Sequence, residues 1–181
     1  MALRFYYEFQ NDKEEVYRVE IHDEQHALSA TEITATGEGF TLTYDGNDDD
    51  LFQPIMGSKC KLEFLNRESY ETEMNDFLDD LLTRDEADIT VAIYYDPDSA
   101  NTLYWAGVVF ADQTEIEEVP IPYQVTLTAG DDLAALKAIE YNDDGTPYTG
   151  NDSLLDHALK CLNKTRTTSF LERVRRVCRM G

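Results

Sequence analysis

Residues 103–137 constrain the fold more tightly than any other part of the chain. Leu103-Tyr104-Trp105-Ala106-Gly107-Val108-Val109-Phe110 is an apolar, aromatic run of strand length, and Tyr123-Gln124-Val125-Thr126-Leu127-Thr128 alternates with a period of two. That alternation marks a half-buried strand. Between them lies Glu115-Ile116-Glu117-Glu118-Val119-Pro120-Ile121-Pro122. It must be extended, because prolines two apart remove amide donors and push their predecessors away from helical torsions. Past the second strand, Asp131 or Asp132 caps a predicted helix through about Ile139. Nothing here has the residue types of a catalytic centre. The stretch reads as part of a β-domain that packs against copies of itself or against a neighbour.

The first half repeats the pattern with acidic turns as punctuation. Phe5–Phe9 and Val16–Ile21 read as a hairpin across Gln10-Asn11-Asp12-Lys13, and Thr31–Thr36 as a short strand. Gly37-Glu38-Gly39 is a bend before the alternating Phe40–Tyr44, and Asp45–Asp50 is a strong breaker. Pro54–Ser58 leads into Lys59–Leu65, which puts Cys60, Leu62 and Phe64 on one face. A helix is predicted over Glu71–Leu82, with Phe77, Leu78, Leu81 and Leu82 as its apolar stripe. Asp88–Tyr95 then pairs with Leu103–Phe110 across the turn 96–101. Two helices close the chain, Leu154–Leu162 after Asn151-Asp152-Ser153, and one opened by Ser169-Phe170-Leu171-Glu172, whose spacing matches a capping box. About eight strands beside so few helices give a mainly β (α+β) fold, a β-barrel or sandwich with packed helices. The expected organisation is a barrel domain over 1–162 and a basic amphipathic helix over 163–181.

Charge divides the same way. The chain carries 37 acids and 15 bases, a formal net charge of −22. Residues 160–181 hold seven of the bases and only Glu172 among the acids, so the preceding body has eight bases against 36 acids, a balance of −28. Such a body repels nucleic-acid phosphates, which argues against DNA or RNA binding by it. Its charge suits solubility, restraint of premature assembly, or a lumen that a polyanion slides through without sticking. No apolar run approaches the ~20 residues of a membrane span, and the first residues lack a signal-peptide core. The expected product is made and kept in the cytosol until assembly, without a membrane anchor.

Chemistry finds little footing. Cys60, Cys161 and Cys178 form no CxxC motif and no Cys/His cluster, and Cys60, between two lysines, reads as a small inward-facing residue. His22 and His26 lie four apart, but on a polar loop rather than a helix face. Asp45–Asp50 and Asn142–Gly145 lack the spacing and closing glutamate of a calcium loop and read as turns. There is no nucleophile elbow and no phosphate-binding glycine loop, and no pair among 37 acids stands out for glycosidase work. We therefore expect no enzyme activity, cofactor, metal or catalytic residue. Tyr94, Tyr95, Tyr104 and Trp105 flank one hairpin, where aromatics serve as core and cross-strand pairs or bind a sugar.

The order of motifs carries a resemblance. Phe40–Asp49, Pro54–Ser58, Leu103–Gly107, Pro122–Ala129, Leu133–Lys137 and Tyr148-Thr149-Gly150 before a leucine-rich helix succeed one another in a way that resembles the N-terminal tube or barrel region of tail (baseplate) hub proteins of tailed bacteriophages. The likeness spans roughly residues 3–162 and leaves 165–181 outside it. Asp131-Asp132-Leu133 stands where the family often has Asp-Gly-Leu, and hub proteins are usually much longer. The resemblance implies a β-barrel tube domain whose copies form a ring continuing the tail tube, a structural virion protein that docks other tail and baseplate proteins. DNA would pass through the ring without specific binding. A distal-tail adaptor is one alternative, and a monomeric carbohydrate- or ligand-binding β-module using Tyr94, Tyr104 and Trp105 is another. Partner contacts are expected along the extended segment (Ile116, Val119, Pro120, Pro122) and on the arginine face of the last helix (Arg173, Arg175, Arg176).

Overall fold

Period-two burial runs through the strands of the computed structural model, which describes residues 2–44, 57–83, 88–117, 119–131, 142–143, 146–148, 153, 156–157 and 160. Two compact units emerge, Met1–Asp131 and Asp132–Gly181.

The first unit contains β1 (Ala2–Gln10), β2 (Val16–Asp23), β3 (Thr31–Glu32), β4 (Thr34–Tyr44), β5 (Ser58–Asn66), helix α1 (Glu71–Leu81), β6 (Ile89–Tyr95), β7 (Thr102–Val109), β8 (Glu115–Ile116) and β9 (Tyr123–Gly130). The strands form one sheet in the order β3-β1-β2-β6-β7-β9-β5-β4, with β8 on β9. Only Ile33 separates β3, paired with β1, from β4, paired with β5. A single stretch of chain therefore makes both ends of the sheet, and the sheet curls into a nearly closed barrel. The fold is mainly β with few helices, and between barrel and sandwich it is the barrel.

The remaining gaps are filled by specific groups. β7 and β8 lie along one side of β9, the first through Val108 and Val109, the second through Glu115 and Ile116. A short turn at Ala111–Gln113 absorbs the register shift between them. Opposite β1, the Ile33 amide donates to the Tyr6 carbonyl at 2.9 Å and the Tyr7 hydroxyl donates to the Gly39 carbonyl at 2.6 Å. Gly37 and Gly39 both have positive φ, in a bulge that lets one continuous strand replace the two segments expected around a bend. At Gly39 any side chain would also strike the Phe9 ring.

Alternation sends Phe5 and Tyr7, Val19 and Ile21, Cys60, Leu62 and Phe64, Val91 and Ile93, and Val125, Leu127 and Ala129 into one core. Burying so many large side chains dominates the stabilisation. α1 packs below this core by Met74, Phe77, Leu78 and Leu81, with the Phe77 ring edge-on to Phe5 at 5.3 Å. The predicted stripe is shifted by one turn. Leu82 lies past the last turn and is exposed, and Met74 takes the inward place. Asn66, Asn75 and Tyr123 link β5, α1 and β9 by hydrogen bonds of 2.8–3.0 Å, which fixes the helix at this end.

In the second unit, Asn142–Asp143 (β10) pairs with Thr146–Pro147 (β11). Asp156, His157 and Lys160 are helical. The Asp156 amide donates to the Ser153 hydroxyl at 3.2 Å, so Ser153 caps that turn. Of the helix predicted after Asp131, residues 132–139 lie outside the described residues, as does the helix predicted at 169–179.

Candidate functional site

Two ends of the barrel hold the polar and aromatic groups that are not simply core. At the helix end, residue 4 is skipped in the pairing of β1 with β2, where Leu3 meets His22 and Phe5 meets Ile21. This bulge turns Arg4 inward beside Phe5. Arg4 Nη1 lies 2.6 Å from Asp23 Oδ2, and the guanidinium sits 5.0 Å from the centre of the Phe77 ring. Asp23 Oδ1 accepts the Gln25 amide at 2.9 Å. Outside the pair, an open cleft of about 500 Å³ is lined by Arg4, Asp23, His26, Asp76, Asp79 and Asp80, among others. Within the cleft Arg4 is committed to Asp23. Among the described residues no group of three or more His, Cys, Asp or Glu side chains is placed to hold a metal ion. His22 pairs with Glu20 at 2.9 Å while His26 lines the cleft, so the two histidines have different surroundings.

At the opposite end, where β1 and β6 finish and β2 and β7 begin, five rings meet. Tyr17 stacks on Phe9 at 5.5 Å, meets Phe40 at 5.7 Å and Tyr95 at 5.5 Å, and touches Tyr104 at 5.6 Å. Phe40 reaches Tyr104 across the mouth at 6.1 Å. Tyr104 is the residue skipped between β6 and β7, since Ile93 pairs with Trp105 and Tyr94 with Leu103. Tyr104 is 53% exposed, while Trp105 and Tyr94 are buried, at 7% and 5% exposure. Burial first, then Glu15 and the neighbouring tyrosines, push the Tyr17 phenol above its ordinary value.

Trp105 links β7 to β5 past the intervening β9. Its indole Nε1 donates to Ser58 Oγ at 2.9 Å, and Ser58 donates through both its amide and its hydroxyl to Asp131 Oδ2 at 2.6 Å. Cys60 is a buried free thiol, pushed up to about 12 by burial. That is the inward, inert role expected for it.

The sequence-predicted contacts fall apart spatially. Ile116 is in β8 and already pairs with Val125 on β9, so one of its strand edges is used within the chain. Val119, Pro120 and Pro122 follow in the exposed connection to β9, and Val119 is 51% exposed. Arg173, Arg175 and Arg176 lie outside the described residues. The three aromatics of the carbohydrate alternative are split by the fold, Tyr94 and Trp105 being buried and Tyr104 half exposed in the aromatic cluster. Sequence reading missed Arg4, Asp23, Phe9, Tyr17 and Phe40. For the last three the signal was an aromatic at each end of the first hairpin and at the start of the alternation after Gly39.

The chain matches no protein-family model, no curated protein and no solved structure. No helix among the described residues is long and apolar enough to cross a membrane.

Proposed function

We propose that this chain is a structural building block that self-associates into a ring and docks neighbouring proteins. Its setting is the hub or tube-continuing part at the distal end of a bacteriophage tail. One observation carries the assembly reading. Among the described residues the inward side chains of the strands form one buried core, while Ile116, Val119, Tyr44 and Tyr104 are left 38–66% exposed. Exposed apolar groups of this kind favour protein contact. The tail setting comes from the motif order 40–150, and the body's charge of −28 suits a wall along which DNA slides. Burial of Trp105 and Tyr94 weighs against the carbohydrate module.

Light scattering behind size exclusion, with micrographs of the purified protein, tests the reading. A stable ring of defined mass supports it. A monomer at every concentration, with tryptophan emission that changes on adding a glycan, overturns it in favour of the binding module. Acids confined to the outside of the ring would remove the DNA-passage element alone.

A further inference from the structure

The aromatic mouth has a chemistry of its own. A barrel end needs closing, but polar side chains would close it as well as half-exposed tyrosines. Here Tyr95 and Tyr104 keep 36% and 53% of their surface in solvent. The rings lie next to two hairpin turns, 11–15 and 96–101. These turns carry Asp12, Glu14, Glu15, Asp96 and Asp98 against one base, Lys13. Asn11 holds Glu15 at 2.7 Å beside Tyr17, and the Asp96 amide is tied to the Val16 carbonyl at 3.0 Å. Electron-rich ring faces bordered by fixed carboxylates suit a planar cation, which stacks on the ring and pairs with the acid at once. An arginine meets both demands, whereas a lysine ammonium is a more strongly hydrated point charge.

The chain itself contains such a group in only one dense stretch. Residues 164–179 carry Lys164, Arg166, Arg173, Arg175, Arg176 and Arg179 with a single acid, in a protein otherwise strongly acidic. We propose that the mouth formed by Tyr17, Tyr95 and Tyr104 is a docking site for arginine side chains from the 164–179 stretch of a second copy. This rests on the assembly reading and names the contact that joins the copies. Such a head-to-tail contact is heterologous, the kind that closes into a ring when the rotation permits.

The experiment uses the full chain and a synthetic peptide of residues 164–179. The peptide is expected to bind, to lower the oligomer mass as it competes, and to bind more weakly when its arginines are replaced by lysines. The double variant Tyr95→Ser/Tyr104→Ser should weaken both self-association and peptide binding by roughly tenfold, the loss expected for desolvated cation–ring contacts. Asp12→Lys/Asp98→Lys, which touches no ring, should do the same through charge, so the result does not hang on one variant's folding. Folded variants that assemble and bind peptide like the parent overturn the docking site and leave assembly standing. A monomeric parent that binds peptide through the tyrosines keeps the site and removes the ring. A mouth that answers to an oligosaccharide and not to the peptide overturns the proposal.

Discussion

Arg4 and Asp23, nineteen positions apart, form a buried ion pair 2.6 Å long at the point where the first two strands part. Both side chains are almost wholly removed from solvent, at 7% and 0% exposure. The pair exists because the bulge shifts one residue of β1 out of alternation and delivers a cation to the only place where Asp23 needs one. It also anchors α1, since Arg4 Nη2 donates to the Glu73 carbonyl at 3.4 Å and the guanidinium lies over Phe77.

Removing one member leaves a buried charge without its partner, which typically costs about 3–5 kcal/mol. Arg4→Met is therefore expected to lower the urea midpoint strongly. Arg4→Met combined with Asp23→Leu should recover much of that loss, because apolar replacements of a whole buried pair are often close to neutral. A double variant no more stable than Arg4→Met would mean that Asp23 is held by other groups.

Much of the scaffold was legible because alternation and burial coincide. Lys59–Leu65 gives its inward face directly, the two prolines after Val119 bar a helix, and Phe77, Leu78 and Leu81 mark the buried side of α1. The rest hides in single-residue register shifts. A bulge at Arg4 leaves no trace in a period-two pattern, yet it reverses which way the side chain points. Arg4 is buried although strict alternation with Phe5 and Tyr7 would not place it there. Of the four aromatics that flank the hairpin, Tyr94 and Trp105 are buried while Tyr95 and Tyr104 keep 36% and 53% of their surface in solvent. The Trp105–Ser58–Asp131 chain was out of reach for another reason, since it joins residues 47 and 73 positions apart.

Trp105 offers a direct optical check, being the only tryptophan. At 7% exposure its emission is expected to be blue-shifted and poorly quenched by acrylamide. Ser58→Ala removes the acceptor of the indole N–H and a donor to Asp131. Leaving a buried polar group unmatched should cost about 1–3 kcal/mol and red-shift the emission. Ready quenching in the parent protein would contradict the buried placement.

Gly107 and Gly130 allow β7 and β9 to meet. A Cβ on Gly107 would collide with the Gly130 carbonyl and the Trp105 ring, and one on Gly130 with the Phe110 ring. Backbone cannot yield as a flexible side chain can, so Gly107→Ala is expected to cost about 1–3 kcal/mol or more. The denaturant midpoint measures it. A neutral substitution would show that this seam of the barrel is looser than the structure has it.

Alkaline pH should unfold this protein through groups buried in neutral form. Burial pushes the Cys60 thiol from 9.0 up to about 12, and burial first, then the neighbouring Cys60, raises the Tyr7 phenol well above 10.0. In the unfolded chain both groups ionise near their ordinary values, so above about pH 9 the folded state binds more protons than the unfolded one. Stability is then complete below that pH and falls as pH rises toward 12, at about 1.4 kcal/mol per pH unit for each group that has ionised only in the unfolded chain. Urea titrations between pH 7 and 11 should show a level midpoint up to about pH 9 and a steepening decline beyond it. Cys60→Ala removes the thiol's share and should flatten the decline between pH 9 and 10, where the tyrosine has barely begun to contribute. Identical pH profiles for the parent and this variant would mean that the Cys60 thiol reaches water without unfolding.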